Sequence, residues 1–222
     1  MAKLVLGTDI NNTGISSIVV EKQVPIPTGK YTLLQRVSDD SNNPVGIVAC
    51  FCTDSNDVEY AIVVLDAQYR LKEGKYASSN VYINDLEPLQ SISSWENKYT
   101  ATSNCDKILA QAASSGFTST SVSHCRSKSF VIDGITYYGQ LPTLFELMDI
   151  LKHRTVIGEQ DPSLEDYSNL VIPAYYGCGI WTSNQRNGNN SWVIAENNLM
   201  YAYGKTNNYF VLPILELPNA IA

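Results

Sequence analysis

From Gly139 onward the chain reads GQLPTLFELMDI, then GCGIWTSNQRNGNNSWVIAENN, then GKTNNYFVLPILEL, and this order restricts the fold more than any other feature. Pro142 suits the first turn of a helix, and Leu144, Leu147, Met148 and Leu151 recur on one helical face. The segment HRTVIGEQDPSLEDYSNLVIPAYYG closes that helix and leads into a final sheet. Three short strands are expected there, holding Trp181, Trp192 and the run Tyr209 to Leu217, with Asn- and Gly-rich turns between them.

Upstream, VGIVACFC and EYAIVVLDAQYRL are two apolar runs joined by TDSNDV, which predicts a buried hairpin. Lys72 to Asn104 is polar with scattered aromatics and reads as loops and short strands. Asn104 is placed to cap a helix in which Ile108, Leu109 and Ala112 keep helical spacing up to Gly116. Phe117 to Ser129 is rich in Ser and Thr and reads as a surface loop ending in a basic patch. FVIDGITYYGQ predicts a hairpin turned at Asp133-Gly134. Residues 1–35 are strand-like pieces broken by Asn, Gly and Pro, read either as an extended attachment arm or as a first strand of the domain. The expected division is therefore an arm over 1–35 and one domain over 36–222.

A charge of −7, with fifteen basic residues scattered along the chain, argues against a nucleic-acid partner. The opening MAKLVLGTDINN is too short and polar for a signal peptide, and no apolar run reaches membrane-spanning length. The expectation is a protein made in a cytoplasm without membrane insertion, an origin that suits a virus particle released by lysis. Cys50, Cys52, Cys105, Cys125 and Cys178 have no zinc-type spacing and read as buried reduced thiols, with Cys50 and Cys52 on one strand face.

The texts VGIVACFCTDSNDVEYAIVVLD, SNCDKILAQAA, GQLPTLFELMDI, IWTSN, NSWVIAEN and KTNNYFVLPILEL, in that order, resemble a family of bacterial and phage domains. That family is related to the C-terminal domain of a collagen-like adhesin, within the C-type-lectin-like and formylglycine-generating-enzyme fold. The resemblance covers Pro44 to Leu217, and Leu212 stands where relatives often carry Arg. It implies an α+β, C-type-lectin-like mixed fold, with two helices packed on small antiparallel sheets and a long loop region as the variable surface.

Calcium-dependent sugar binding would need a cluster of oxygen ligands. Leu86-Glu87-Pro88-Leu89 lacks the amide of the lectin loop, and Trp192 is followed by Val193-Ile194 rather than Asn-Asp, so no metal or other cofactor is expected. His124 and His153 accompany no activated nucleophile, the cysteines match no oxidation motif, and Asp39-Asp40 and Glu165-Asp166 read as solvated turns. No catalytic residue is expected.

What remains is a surface. Thr182 to Asn190 and Asn197 to Asn208 read as polar loops beside Trp181, Tyr201, Tyr203 and Tyr209. Aromatic rings next to amides suit sugars and peptides, so Arg186, Asn187, Asn189, Tyr201 and Tyr203 are the candidate ligand-binding residues. Trp181 and Trp192 are assigned to the core. Fourteen tyrosines against five phenylalanines suit a wet interface. The expected role is a phage virion protein (head fibre, capsid decoration or tail fibre) that forms homotrimers. Its arm would hold other virion proteins, and its domain would meet a host-surface glycan or protein. The alternative is a bacterial cell-surface adhesin or fimbrial-type domain.

Overall fold

The computed structural model describes residues 29–54, 56–86, 100–160, 179–195 and 199–220, with two short strands at 5–6 and 18–19, and it describes side chains from 29 onward except at 153–160. The short strands are β1 (Val5–Leu6) and β2 (Ile18–Val19), paired antiparallel. Packing of the domain begins earlier than the boundary expected at 35/36. Lys30 N–H donates to Asn219 O (3.0 Å), Tyr31 N–H to Asn219 Oδ1 (2.8 Å) and Leu34 N–H to Val48 O (2.8 Å), and Tyr31 is buried.

A four-stranded antiparallel sheet runs in the order β13-β5-β4-β3, with β3 (Arg36–Ser38), β4 (Pro44–Thr53), β5 (Glu59–Leu65) and β13 (Ile214–Pro218). The β4–β5 hairpin is the expected one. Its turn is set by Asp54, whose Oδ1 accepts from Asn56 N–H (2.8 Å) and Val58 N–H (3.0 Å). The second apolar run is not one strand, however. Asp66, held by Arg36 at 2.6 Å, starts a 3-10 turn at Ala67–Tyr69, and the chain continues as β6 (Leu71–Lys75) in another sheet.

That second sheet has five strands in the order β11-β10-β9-β12-β6, adding β9 (Gly179–Gln185), β10 (Asn190–Ala195), β11 (Met200–Gly204) and β12 (Asn208–Val211). The closing text thus forms five strands, β9 to β13, instead of three. Tyr209 to Leu217 is divided by Pro213, which has no N–H for a ladder, and Leu212-Pro213 carries the chain from the five-stranded sheet to the four-stranded one. The β12–β9 pair is parallel, so this sheet is mixed and not antiparallel throughout.

Three helices, not two, occur among the described residues: α1 (Ala101–Ser115), α2 (Thr120–Arg126) and α3 (Leu144–Gln160). Thr100 caps α1 through its side chain, and Gly116 ends it with a left-handed φ of 73°. Asn104 is not the cap; it is buried inside α1 and donates to Ser183 Oγ (3.1 Å). α2 lies in the segment expected to be a surface loop. Ser119 caps it, Val122 and Cys125 are buried, and Ser121 Oγ and Thr120 Oγ1 bond to the Lys75 backbone of β6 at 2.9 and 2.7 Å. α3 starts at Leu144, two residues after Pro142, because Thr143 and Glu146 form a reciprocal capping box.

Two large side-chain clusters sandwich the five-stranded sheet. One face carries Ile180, Trp192 and Ile194 against Leu144, Leu147, Ile150 and Leu151 of α3 and against Ile47, Cys50 and Ile62 of the four-stranded sheet. The opposite face carries Trp181, Val193, Tyr209 and Val211 against α1, α2 and the segment holding Tyr76, Ile83 and Leu86. The outer face of the four-stranded sheet packs on β7 (Ser129–Ile132) and β8 (Ile135–Tyr138) through Phe130 and Ile132. The described residues therefore form a mixed α+β fold built of small sheets, without a barrel among them.

The β7–β8 hairpin turns at Asp133 (φ 52°) and Gly134 (φ 73°), as the Asp-Gly pair predicts. Asp40 is more than a solvated turn residue, since its carboxylate accepts from both Asp133 N–H and Gly134 N–H at 2.8 Å. Asp40→Ala removes two charge-assisted bonds and is expected to lower stability by about 1–2 kcal/mol in urea unfolding. An unchanged midpoint would show that this clasp is idle.

Cys50, Cys52, Cys105 and Cys125 are free thiols, and Cys178 lies outside the described residues. Cys50 and Cys52 pack on the same cluster beside α3, as expected. A hydrogen bond with Cys52, then burial, pushes the Cys50 thiol up, and burial pushes Cys105 up to about 12, so these groups stay protonated and are weak nucleophiles.

Candidate functional site

One end of the five-stranded sheet is organised around a buried lysine. Lys205 follows Gly204 in the β11–β12 turn and has no exposure to solvent. Its Nζ donates to Val81 O (2.6 Å) and to Gln185 Oε1 (2.9 Å), and it lies 5.4 Å from the centre of the Tyr76 ring. Gln185 uses the rest of its amide on the same segment. Its Oε1 accepts from Ile83 N–H (3.1 Å), and its Nε2 donates to Ile83 O (2.7 Å) and to Leu86 O. Both acceptors of the ammonium are neutral, and burial pulls Lys205 down to about 8.

The Lys205 backbone joins the same parts. Its N–H donates to Asn189 O (2.9 Å) in the β9–β10 turn, and its carbonyl accepts from Ala77 N–H (3.0 Å). The 77–86 segment and the two turns are thereby tied into one surface. Tyr82 stands there 42% exposed, beside Gly188, where an added Cβ would lie 3.7 Å from the Tyr82 Cβ. Asn187 and Asn189 flank Gly188 and are exposed, as are Thr206 and Asn207 in the turn after Lys205. Asn187 Oδ1 accepts from Asn189 N–H (2.9 Å) and Asn190 N–H (2.8 Å), which fixes the turn. The surface is rich in amides, with the exposed charged residues Asp85 and Arg186 in the same segment and turn, and it can hydrogen-bond and stack without a metal.

The five residues expected to form the site are not brought together. Tyr201 pairs with Val193, and Val193 pairs with Trp181, so these share the face that packs toward α1 and α2. Tyr201 and Tyr203 begin a chain of ring contacts running inward: Tyr201–Tyr203 at 5.7 Å, Tyr203–Tyr209 at 5.1 Å, Tyr209–Trp181 at 4.9 Å and Trp181–Tyr76 at 5.7 Å. Arg186 instead lies 5.6 Å over the ring of Trp192, on the opposite face. Asn187 and Asn189 occupy the turn beside Tyr82. Thr182 to Gln185, expected to begin a polar loop, is strand β9 with Thr182, Ser183 and Gln185 buried. Asn197 and Asn198 lie outside the described residues. Both Trp181 and Trp192 are buried, as assigned.

Sequence reasoning passed over Lys205, Gln185 and Tyr82. A lysine after glycine in a turn carries the signature of a solvated residue, so only the fold reveals its burial. The alternation in NVYIND was a usable hint that Tyr82 faces outward while Ile83 faces inward.

The chemistry elsewhere is architectural. His124 Nε2 lies 2.7 Å from Tyr69 O. Glu216 accepts from Ala101 N–H (2.7 Å) and Thr102 N–H (2.8 Å) at the start of α1, while Glu146 accepts from Thr143 N–H (2.6 Å) at the start of α3. Among the described residues no three His, Cys, Asp or Glu side chains are grouped to hold a metal, and no helix is long and apolar enough to cross a membrane. Compared with known proteins, the chain is matched by no family model, no curated protein and no solved structure.

Proposed function

We propose that this chain is a non-enzymatic structural and recognition protein of a phage virion, a head fibre, capsid decoration or tail fibre, with a C-type-lectin-like domain. The domain offers the Tyr82, Asn187, Asn189 and Asn207 surface to a host-surface glycan or protein, and segment 1–28 joins the protein to its assembly. The observation that carries the recognition part is the Lys205–Gln185 node. The Lys205 ammonium donates to the neutral Val81 O and Gln185 Oε1, and Gln185 Oε1 also accepts from Ile83 N–H, so the node ties the segment on both sides of Tyr82 to β9 and to the β11–β12 turn.

The test is binding of fluorescently labelled protein to intact bacterial cells, with and without EDTA. Binding that survives EDTA and falls at least about tenfold in Tyr82→Ala supports the reading, since one well-placed contact is worth about 1.4 kcal/mol. Binding abolished by EDTA, or unaffected by Tyr82→Ala, contradicts it.

Lys205 also makes a pH prediction. Its folded pKa of about 8 lies below the unfolded value near ~10.4, so the unfolded chain binds the extra proton between these two values. Stability attributable to this site therefore rises as pH rises from about 8 toward ~10. Lys205→Met removes that slope while loosening the loops, so thermal melts across this range are expected to be flatter for the variant, and cell binding weaker. A wild-type melting temperature that falls steadily over the same range, in step with the variant's, would contradict the assignment.

A further inference from the structure

A concavity lies where the β3–β4 turn, the 3-10 turn at Ala67–Tyr69 and the link from α2 to β7 meet, and its lining shares no residue with the Lys205 end. It is a groove of about 590 Å³, lined by Asp39, Asn43, Gln68, Tyr69, Lys128 and Phe130 among others. That volume is within the ~300–1,000 Å³ of small-molecule sites.

Its walls are fixed by contacts that need no ligand. Asp39 accepts from Ser41 N–H (2.9 Å), Asn43 N–H (2.8 Å) and Asn43 Nδ2 (3.0 Å). The Tyr69 ring stands at 81° to Phe130 with centroids 5.2 Å apart. The Lys128 backbone is held between Cys125 O (3.0 Å) and Gly139 N–H (2.8 Å). A ligand entering here meets a carboxylate, an aromatic pair and a backbone already in place, and orders only the Gln68 and Lys128 side chains.

The lining selects a chemistry. Half-buried Tyr69 supplies an aromatic surface for C–H groups, Gln68 supplies an amide, Lys128 supplies donors and Asp39 supplies an acceptor. The Asp39 carboxylate and the C-terminal end of α2 offset the Lys128 charge at the groove, which favours a neutral ligand over an anion. An apolar ligand would strand the Lys128 and Asp39 charges. Hydroxyl groups suit this mixed lining because each can both accept, as Lys128 and Gln68 require, and donate, as Asp39 requires.

We propose that this groove is a saccharide subsite for a neutral sugar unit, separate from the Tyr82 surface and independent of whether that surface binds anything. Two such sites on one chain would add avidity on a repeating host polysaccharide.

The test is titration of the isotope-labelled full chain, followed by amide NMR shifts, with maltose, cellobiose, lactose and N,N′-diacetylchitobiose. Glucuronate and inorganic phosphate are titrated as charged probes. At least one neutral disaccharide is expected to move the amides of Gln68, Lys128 and Ser129 saturably. Gln68→Ala and Lys128→Ala should each weaken that binding about fivefold to tenfold, as expected for one lost hydrogen bond of about 1–1.4 kcal/mol. Both replaced side chains lie outside the core, so folding is checked by a wild-type melting temperature, and Tyr82→Ala should leave the groove's shifts intact. The proposal is overturned by any one of three results. These are no saturable shift from any neutral sugar up to about 50 mM, well beyond the millimolar range of weak binding, tighter binding of glucuronate or phosphate than of every neutral sugar, or wild-type affinity in the Gln68→Ala/Lys128→Ala double variant.

Discussion

Trp181→Ala is expected to lower the unfolding free energy by about 3–5 kcal/mol, the range for deleting a fully buried large aromatic side chain. Trp181 has no solvent exposure and joins Tyr76 and Tyr209 by ring contacts at 5.7 and 4.9 Å. Its Nε1–H also donates to Gly74 O at 2.7 Å, linking β9 to β6 at the far side of the mixed sheet. Alanine leaves a void that the ring chain cannot close and a buried carbonyl without its donor. Trp181→Phe keeps most of the packing and loses the bond, so its cost should be about 1–3 kcal/mol. Chemical denaturation of the two variants separates packing from hydrogen bonding. Equal and small losses would mean that the ring chain is not part of the core that positions the candidate surface.

The second large effect concerns Glu216, whose carboxylate holds the first turn of α1 through Ala101 and Thr102 N–H groups at 2.7 and 2.8 Å. Glu216→Ala removes two charge-assisted bonds and the anion at a helix N-terminus, and is expected to cost about 3–5 kcal/mol. Its neighbour Glu146 is buried and hydrogen-bonded to it, and burial, then the charge of Glu216, holds the Glu146 carboxyl well above the usual carboxylate range. The folded state therefore keeps Glu146 protonated. A raised folded pKa stabilises most below the unfolded value near ~4.3, and that contribution is lost as pH rises through the folded value. Glu146→Gln keeps a neutral side chain of the same shape and is expected to flatten the loss of stability between mildly acidic and neutral pH. Melts of wild type and Glu146→Gln with identical pH slopes would contradict this arrangement.

Much of the framework was legible because its signals are local. The β4–β5 hairpin, the Asp133-Gly134 turn, the Gly116 stop and the apolar face of α3 each follow from residues close together in the chain. Contacts made at long range were not. α2 reads as a polar loop because its Ser and Thr side chains are spent on Lys75 of β6, a partner far away in sequence. Asn104 reads as a cap, but the demand of Ser183 places it inside the helix. The split at Pro213 could be read from proline alone, yet the change of sheet that it permits could not.

At the candidate site the difference is sharper. The turn carrying Asn187 and Asn189 is a local feature and was visible. Arg186 is one residue beyond Gln185, and that single step places it on the Trp192 face, away from Tyr201 and Tyr203. Lys205 is far along the chain from Val81, the neighbour of Tyr82, and the two meet only in the folded protein.

The measurement that tests the central claim most directly is a side-by-side comparison of cell binding by wild type, Tyr82→Ala and Arg186→Ala, all confirmed folded. A surface centred on Tyr82 predicts binding lost at least about tenfold in Tyr82→Ala and retained in Arg186→Ala. Retained binding in Tyr82→Ala with loss in Arg186→Ala would place recognition on the opposite face and contradict the account.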